Sequence, residues 1–210
     1  MNLIKKALYL SITILWFSSG ITGNLYAQMK SGYRFGINLT TMSIKRNGQG
    51  IAAETPVGIQ FGGMYEIPFS RKFTMQSGFI LTSKGTDYKM DSQDHSLAPA
   101  YFEVPVQAVY YCGRRKFRVS FFTGPYFSTA FGGYKIESEG MKDLTFGRRN
   151  YKDLKMLDWG VNAGTALNIK SFVISFQYGV GLRNVSPQYG MNMKNRVIGI
   201  SIGSLLPPRK

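Results

Sequence analysis

The chain has 210 residues and carries 26 Lys and Arg against 11 Asp and Glu, a formal charge of +15. Its only histidine, His95, excludes a multi-histidine metal site within one chain, and its only cysteine, Cys112, excludes an internal disulfide. Such a basic balance suits either nucleic acid or an anionic membrane surface.

The first residues choose between these partners. Lys5 and Lys6 precede an apolar run from Ala7 to Phe17, and the segment closes on Leu25-Tyr26-Ala27 before Gln28. This is the layout of a secretory signal. Cleavage between Ala27 and Gln28 is expected, giving a signal peptide over 1–27 and one domain over 28–210. The apolar run is shorter than the roughly 18 residues of a spanning helix, so a membrane anchor is the weaker reading. No cysteine stands at the end of the signal, so a lipoprotein is not expected. An exported chain meets phosphates and carboxylates of outer-membrane lipid, and nucleic acid is not an expected partner.

Beyond the signal, apolar and small or polar residues alternate with period two, the mark of a strand with two different faces. Strand one, about 32–43, sets Tyr33, Phe35, Ile37 and Leu39 against Arg34, Gly36, Asn38 and Thr40. Strands two (57–67) and three (72–85) repeat this, with Ile59 and Phe61 against Gln60 and Glu66, then Phe73 and Phe79 against Thr74 and Gln76. Strand four (100–112) sets Phe102, Val104 and Val106 against Glu103, Pro105 and Gln107; Pro105 lacks a donor and predicts a bulge. Strands five (116–132) and six (156–169) place Arg118 and Asp158 on their polar faces. In strand seven (172–184) Phe172, Ile174 and Phe176 alternate with Ser175, Gln177 and Arg183, and in strand eight (195–205) Ile198, Ile200 and Ile202 alternate with Gly199, Ser201 and Gly203.

The links between strands two and three, four and five, and six and seven are short, and the others are long, the longest running from about 133 to 155. Short turns alternating with long loops predict an all-β fold, an eight-stranded antiparallel up-and-down transmembrane β-barrel with turns in the periplasm. Phe69, Phe73, Tyr110, Tyr111, Phe117 and Phe172 lie beside the short turns, as an interfacial girdle would. The alternative, a soluble periplasmic ligand-binding barrel, would turn eight bulky apolar stripes into a lumen that holds only side chains or one small ligand. Phe172, Ile174, Phe176, Ile198, Ile200 and Ile202 are therefore expected to face lipid. Arg34, Glu66, Lys84, Glu103, Arg118, Asp158 and Arg183 are expected to form an interior polar network of structural kind, with Glu103 paired to an arginine, because desolvated charges need partners.

The stretches YRFGINLT (33–40), YFEVPVQAVYY (101–111), GPYFS (124–128), DWGVNAGTALNI (158–169) and FQYGVGLRNVSP (176–187) resemble the PorT-like outer-membrane β-barrel proteins of Bacteroidota, over essentially the whole chain after residue 27. The resemblance implies an outer-membrane barrel and carries over no catalytic residues; members that resemble the founding protein are implied to act in the type IX secretion and gliding machinery, while many others have no known role. The ending Leu205-Leu206-Pro207-Pro208-Arg209-Lys210 departs from the aromatic last residue of many such barrels.

An enzymatic alternative is an outer-leaflet lipid A-modifying enzyme, which needs a nucleophile, a base and an orienting acid. Asp94, His95 and Ser96 lie together in a long loop near Glu103, but neighbours on an extended chain point apart, so no catalytic centre is expected. No metal or cofactor site is expected either. The longest loop, with Lys135, Lys142, Arg148, Arg149 and Lys152, is the candidate contact for lipopolysaccharide or for a protein of a secretion machine.

Overall fold

The computed structural model describes residues 29–90, 93–114, 117–137 and 140–206. The expected cleavage site at Ala27 and Gln28 and the tail from Pro207 lie outside the described residues. Twelve strands form: β1 (Lys30–Arg46), β2 (Gln49–Ile51), β3 (Ala53–Glu54), β4 (Val57–Pro68), β5 (Phe73–Ser83), β6 (Thr86–Met90), β7 (Gln93–Arg114), β8 (Phe117–Glu137), β9 (Gly140–Asp143), β10 (Leu157–Ile169), β11 (Phe172–Gly181) and β12 (Met191–Leu206). They belong to one antiparallel sheet. The path β7-β5-β4-β1-β12-β11-β10-β8 is completed by direct pairing of β7 with β8, so each of these eight long strands has a long neighbour on both sides. The pairing satisfies backbone donors and acceptors without leaving a long open edge.

The faces are inverted relative to a water-soluble protein. Along β1, Tyr33, Phe35, Ile37 and Leu39 are exposed, while Arg34, Asn38 and Thr40 between them are buried. Register carries the pattern sideways: Ile37 pairs with Ile200 of β12 and Ile59 of β4, and Ile200 pairs with Phe176 of β11. Phe172, Ile174, Phe176, Ile198, Ile200 and Ile202 are all exposed, and Gln60, Gln107, Asn162, Gln177 and Ser201 are all buried. Inward glycines let the strands approach closely; a side chain at Gly62 would overlap the Phe79 carbonyl oxygen across the ladder.

Several expectations need correction. Among the described residues four short strands stand beside the eight long ones, all within the long links: β2 pairs with β1, β6 with β7, β9 with β8, and β3 with β6. The loop that holds His95 and Ser96 is a hairpin of β6 and β7. Pro105 interrupts the bridges to β5 opposite Gly78 and Phe79 without changing the register there; the register shift of β7 against β8 falls instead at Ala100/Tyr101. Tyr111 does not join a girdle: it is 5% exposed and points inward.

At the loop end the alternation changes phase. Beyond Leu39 the polarity of β1 reverses, with Met42 and Ile44 buried and Thr41, Ser43 and Lys45 outward. On the paired strand β12, Met191 and Met193 are buried and Asn192, Lys194 and Arg196 face out. These side chains pack with Leu97, Leu144, Leu154 and Val185 into a hydrophobic cap at the loop end. This is the pattern expected of a strand whose outer surroundings change from lipid to water: the outward face becomes polar and the inward face takes over the apolar core.

Candidate functional site

Three of the seven expected interior residues meet directly. Lys84 lies just after β5, with its Nζ 2.7 Å from Glu103 Oε2 on β7 and 3.5 Å from Asp158 Oδ2 on β10. Asn162 donates to Glu103 Oε1 at 3.2 Å, and Asn195 and Tyr126 donate to Asp158 Oδ2 at 2.8 and 3.1 Å. The ammonium also sits 4.2 Å from the centroid of the Tyr126 ring and 5.1 Å from that of Tyr101. Glu103 therefore takes a lysine partner where an arginine was expected. A compact ammonium with three donors fits between two carboxylates and two ring faces, whereas a planar guanidinium is suited to one bidentate partner.

A second group lies toward the short turns. Glu66 is fully buried, accepts from Thr74 Oγ1, and has Lys30 Nζ at 3.9 Å. The Arg118 guanidinium is 4.2 Å from the Tyr111 ring centroid, and Asn168 donates to Ser120 Oγ at 2.9 Å. Arg34 is buried between the strands with its Nη2 lacking a hydrogen-bond partner among the described residues. Arg183 is not part of either group. It follows β11, is partly exposed, and its positive field acts on Lys155 together with that of Arg148.

Small cavities lie within this polar interior. One, about 10 Å³, is lined by Lys84, Glu103, Tyr126 and Gln177, and another, about 20 Å³, by Arg34, Tyr111, Ser120 and Asn168. Each has room for about one water. A larger cleft, about 940 Å³, opens at the short-turn end beside Lys30, Arg71, Lys72 and Arg118.

At the loop end the segment after β9 is tied down by Asp153. Its Oδ1 accepts from Lys135 Nζ at 2.8 Å, and its Oδ2 accepts from the Thr145 amide at 2.8 Å and hydroxyl at 2.7 Å. Burial by itself raises this carboxyl, but the bonds from Lys135 and Thr145 outweigh it and hold the group below the usual carboxylate range. A depressed folded-state value means stability that is present above the unfolded-state value near 3.9 and lost as pH falls through the lower folded-state value. The Thr145 amide resonance of the folded protein should therefore titrate with a midpoint below about 3.9, and Asp153→Asn should abolish the transition. A midpoint at or above the ordinary aspartate value contradicts this role.

The residues considered for catalysis are dispersed. His95 stacks on Tyr88 at 5.2 Å between centroids, Ser96 pairs with Asp87 across the hairpin, Asp94 meets Lys89 at 3.3 Å, and Glu103 is held by Lys84. Among the described residues no group of three or more His, Cys, Asp or Glu could hold a metal ion.

A family model described as outer membrane protein beta-barrel domain matches residues 26–186. The chain belongs to this family. This β-barrel protein is accordingly a protein of the outer membrane. Among curated protein sequences none matches the chain. Among solved structures the β-barrel protein is similar to Ail, the attachment invasion locus protein of Yersinia pestis, in complex with the heparin analogue sucrose octasulfate, at 15% identity and TM-score 0.42, covering 84% of this chain and 99% of that one. It is also similar to OprG of Pseudomonas aeruginosa (14% identity, TM-score 0.47, 86% and 95% covered) and to the N-terminal β-barrel domain of OprF from the same organism (11%, 0.42, 85% and 99%).

Proposed function

We propose that this outer-membrane protein is an eight-stranded transmembrane β-barrel with a structural or accessory role, neither catalytic nor conducting. The eight strands are β1, β4, β5, β7, β8, β10, β11 and β12, and the four short strands belong to the loops above the membrane. The observation that carries the reading is the interior. The Lys84–Glu103–Asp158 cluster and its amide and tyrosine partners occupy the space a pore would need, leaving cavities of about 10 and 20 Å³. Six inward charged residues, Arg34, Glu66, Lys84, Glu103, Arg118 and Asp158, spread around the wall are not needed for one reaction, but they are what a small barrel requires to neutralise inward charge.

The resemblance to PorT-like proteins of Bacteroidota extends the proposal to type IX secretion or gliding machinery, with the protein as an accessory subunit. The basic loop supports contact with lipopolysaccharide or a machinery protein outside: Arg148, Arg149 and Tyr151 are exposed, and Arg149 donates to the Tyr151 hydroxyl at 2.9 Å. A deletion strain should fail to release type IX cargo and recover with the wild-type gene. Normal cargo secretion in that strain removes the secretion role and leaves the structural one.

A further inference from the structure

The outward surface formed by β10, β11, β12 and β1 carries no negative charge. β1, β11 and β12 contain no Asp or Glu, and the single acid of β10, Asp158, is buried inside. The outward cations of β1 and β12 are Lys45, Lys194 and Arg196, and all three lie at the loop end of these strands. Register places them together. Leu39 and Ile198 form the last apolar outward pair; the next outward pair is Thr41 with Arg196, about 7 Å further along, and then Ser43 with Lys194. Lys45 pairs with Asn192, which makes it the diagonal neighbour of Lys194 at roughly 7–8 Å.

Lys45 and Arg196 are exposed and Lys194 is half-buried, and none of them forms an ion pair among the described residues. Adjacent like charges on neighbouring strands repel, so the cluster is unfavourable without an anion. Its level is marked independently by the reversal of inside and outside polarity at Leu39 and Thr41, where lipid gives way to water. Trp159 on β10 and Leu182 just after β11, both exposed and joined by a backbone hydrogen bond, supply the aromatic and apolar edge typical of a headgroup boundary.

We propose that Lys45, Lys194 and Arg196 form a binding site for the phosphates of an outer-leaflet glycolipid, lipid A. This rests on the transmembrane reading above, with the long loops outside. Cations at the headgroup level on the loop side face the outer leaflet, whose glycolipid carries phosphate on its sugar headgroup. Arg196 and Lys194 engage the phosphate from one strand and Lys45 from the next.

The test titrates the purified full chain, in a zwitterionic detergent, with bisphosphorylated lipid A, phosphate-free lipid A and phosphatidylglycerol. Saturable binding of the bisphosphorylated form is expected, weakened roughly 100-fold in the Lys45→Gln/Lys194→Gln/Arg196→Gln variant and about fivefold in Arg196→Gln. Unchanged affinity in the triple variant, or equal affinity for phosphatidylglycerol, overturns the site. Heat-modifiable migration reports folding of each variant; where the triple variant fails to fold, Arg196→Gln alone decides. Loss of heat modifiability in the wild-type chain is a different failure, since it overturns the transmembrane reading itself.

Discussion

Replacing Ile200 by arginine should destabilise the folded barrel by about 2–4 kcal/mol, the cost of a cation on a lipid-facing position near the bilayer midplane. Ile200 is half exposed and lies between Ile37 and Phe176, with Ile198 and Ile202 on the same face of its strand. No acidic residue lies within β1, β11 or β12 to receive the guanidinium. The adjacent residue gives the internal control. Ser201 is 4% exposed and its hydroxyl is 2.6 Å from that of Ser175, so Ser201→Ala should cost only about 0.5–1.5 kcal/mol, one hydrogen bond. Urea unfolding in lipid vesicles, followed by loss of the heat-modifiable band, measures both. Equal costs at the two positions would mean that the faces have been assigned the wrong way round.

Lys84→Met should be the most damaging single change in the interior, at about 3–5 kcal/mol, because it leaves two buried carboxylates uncompensated. Glu103 would keep only Asn162, and Asp158 would keep Asn195 and Tyr126. The remedy follows from the same physics. Converting the carboxylates to amides in Lys84→Met/Glu103→Gln/Asp158→Asn removes the stranded charge and should recover most of the lost stability. The same unfolding assay decides the point: a triple variant no more stable than Lys84→Met would show that shape, and not charge balance, makes this cluster necessary.

Much of this was legible because a membrane strand repeats one rule along its whole length. Tyr33 to Leu39, Phe172 to Phe176 and Ile198 to Ile202 alternate bulky apolar with small or polar residues, and the structure forms strands at each of them. Identity within the polar cluster was less legible. Period two says that Lys84, Glu103 and Asp158 share a side, but which cation reaches which carboxylate depends on register and on how far each side chain extends across the interior. Arg183 shows the same limit. Its parity is that of an inward residue, yet regular pairing ends before it and its side chain lies at the rim.

The loop-end cap was the main omission. Met42, Ile44, Met191 and Met193 interrupt the alternation expected of a strand in lipid, and read singly they pass for loop residues. Their signal is a change of phase: the apolar side moves from odd to even positions in β1 and from even to odd in β12, at paired residues of the two strands. Only the pairing of Leu39 with Ile198 and of Thr41 with Arg196 shows that the two phase changes occur at one level.

By itself, then, the sequence determined the eight long strands, their short and long connections and the two chemically distinct faces, because those follow from period-two alternation and local turn composition. Tertiary structure alone decided which charges meet inside, where the apolar core passes from outside to inside, and that Lys45, Lys194 and Arg196 stand together. Each of these depends on residues far apart in the chain being brought to the same height by strand register, and register is set by the closed set of pairings as a whole.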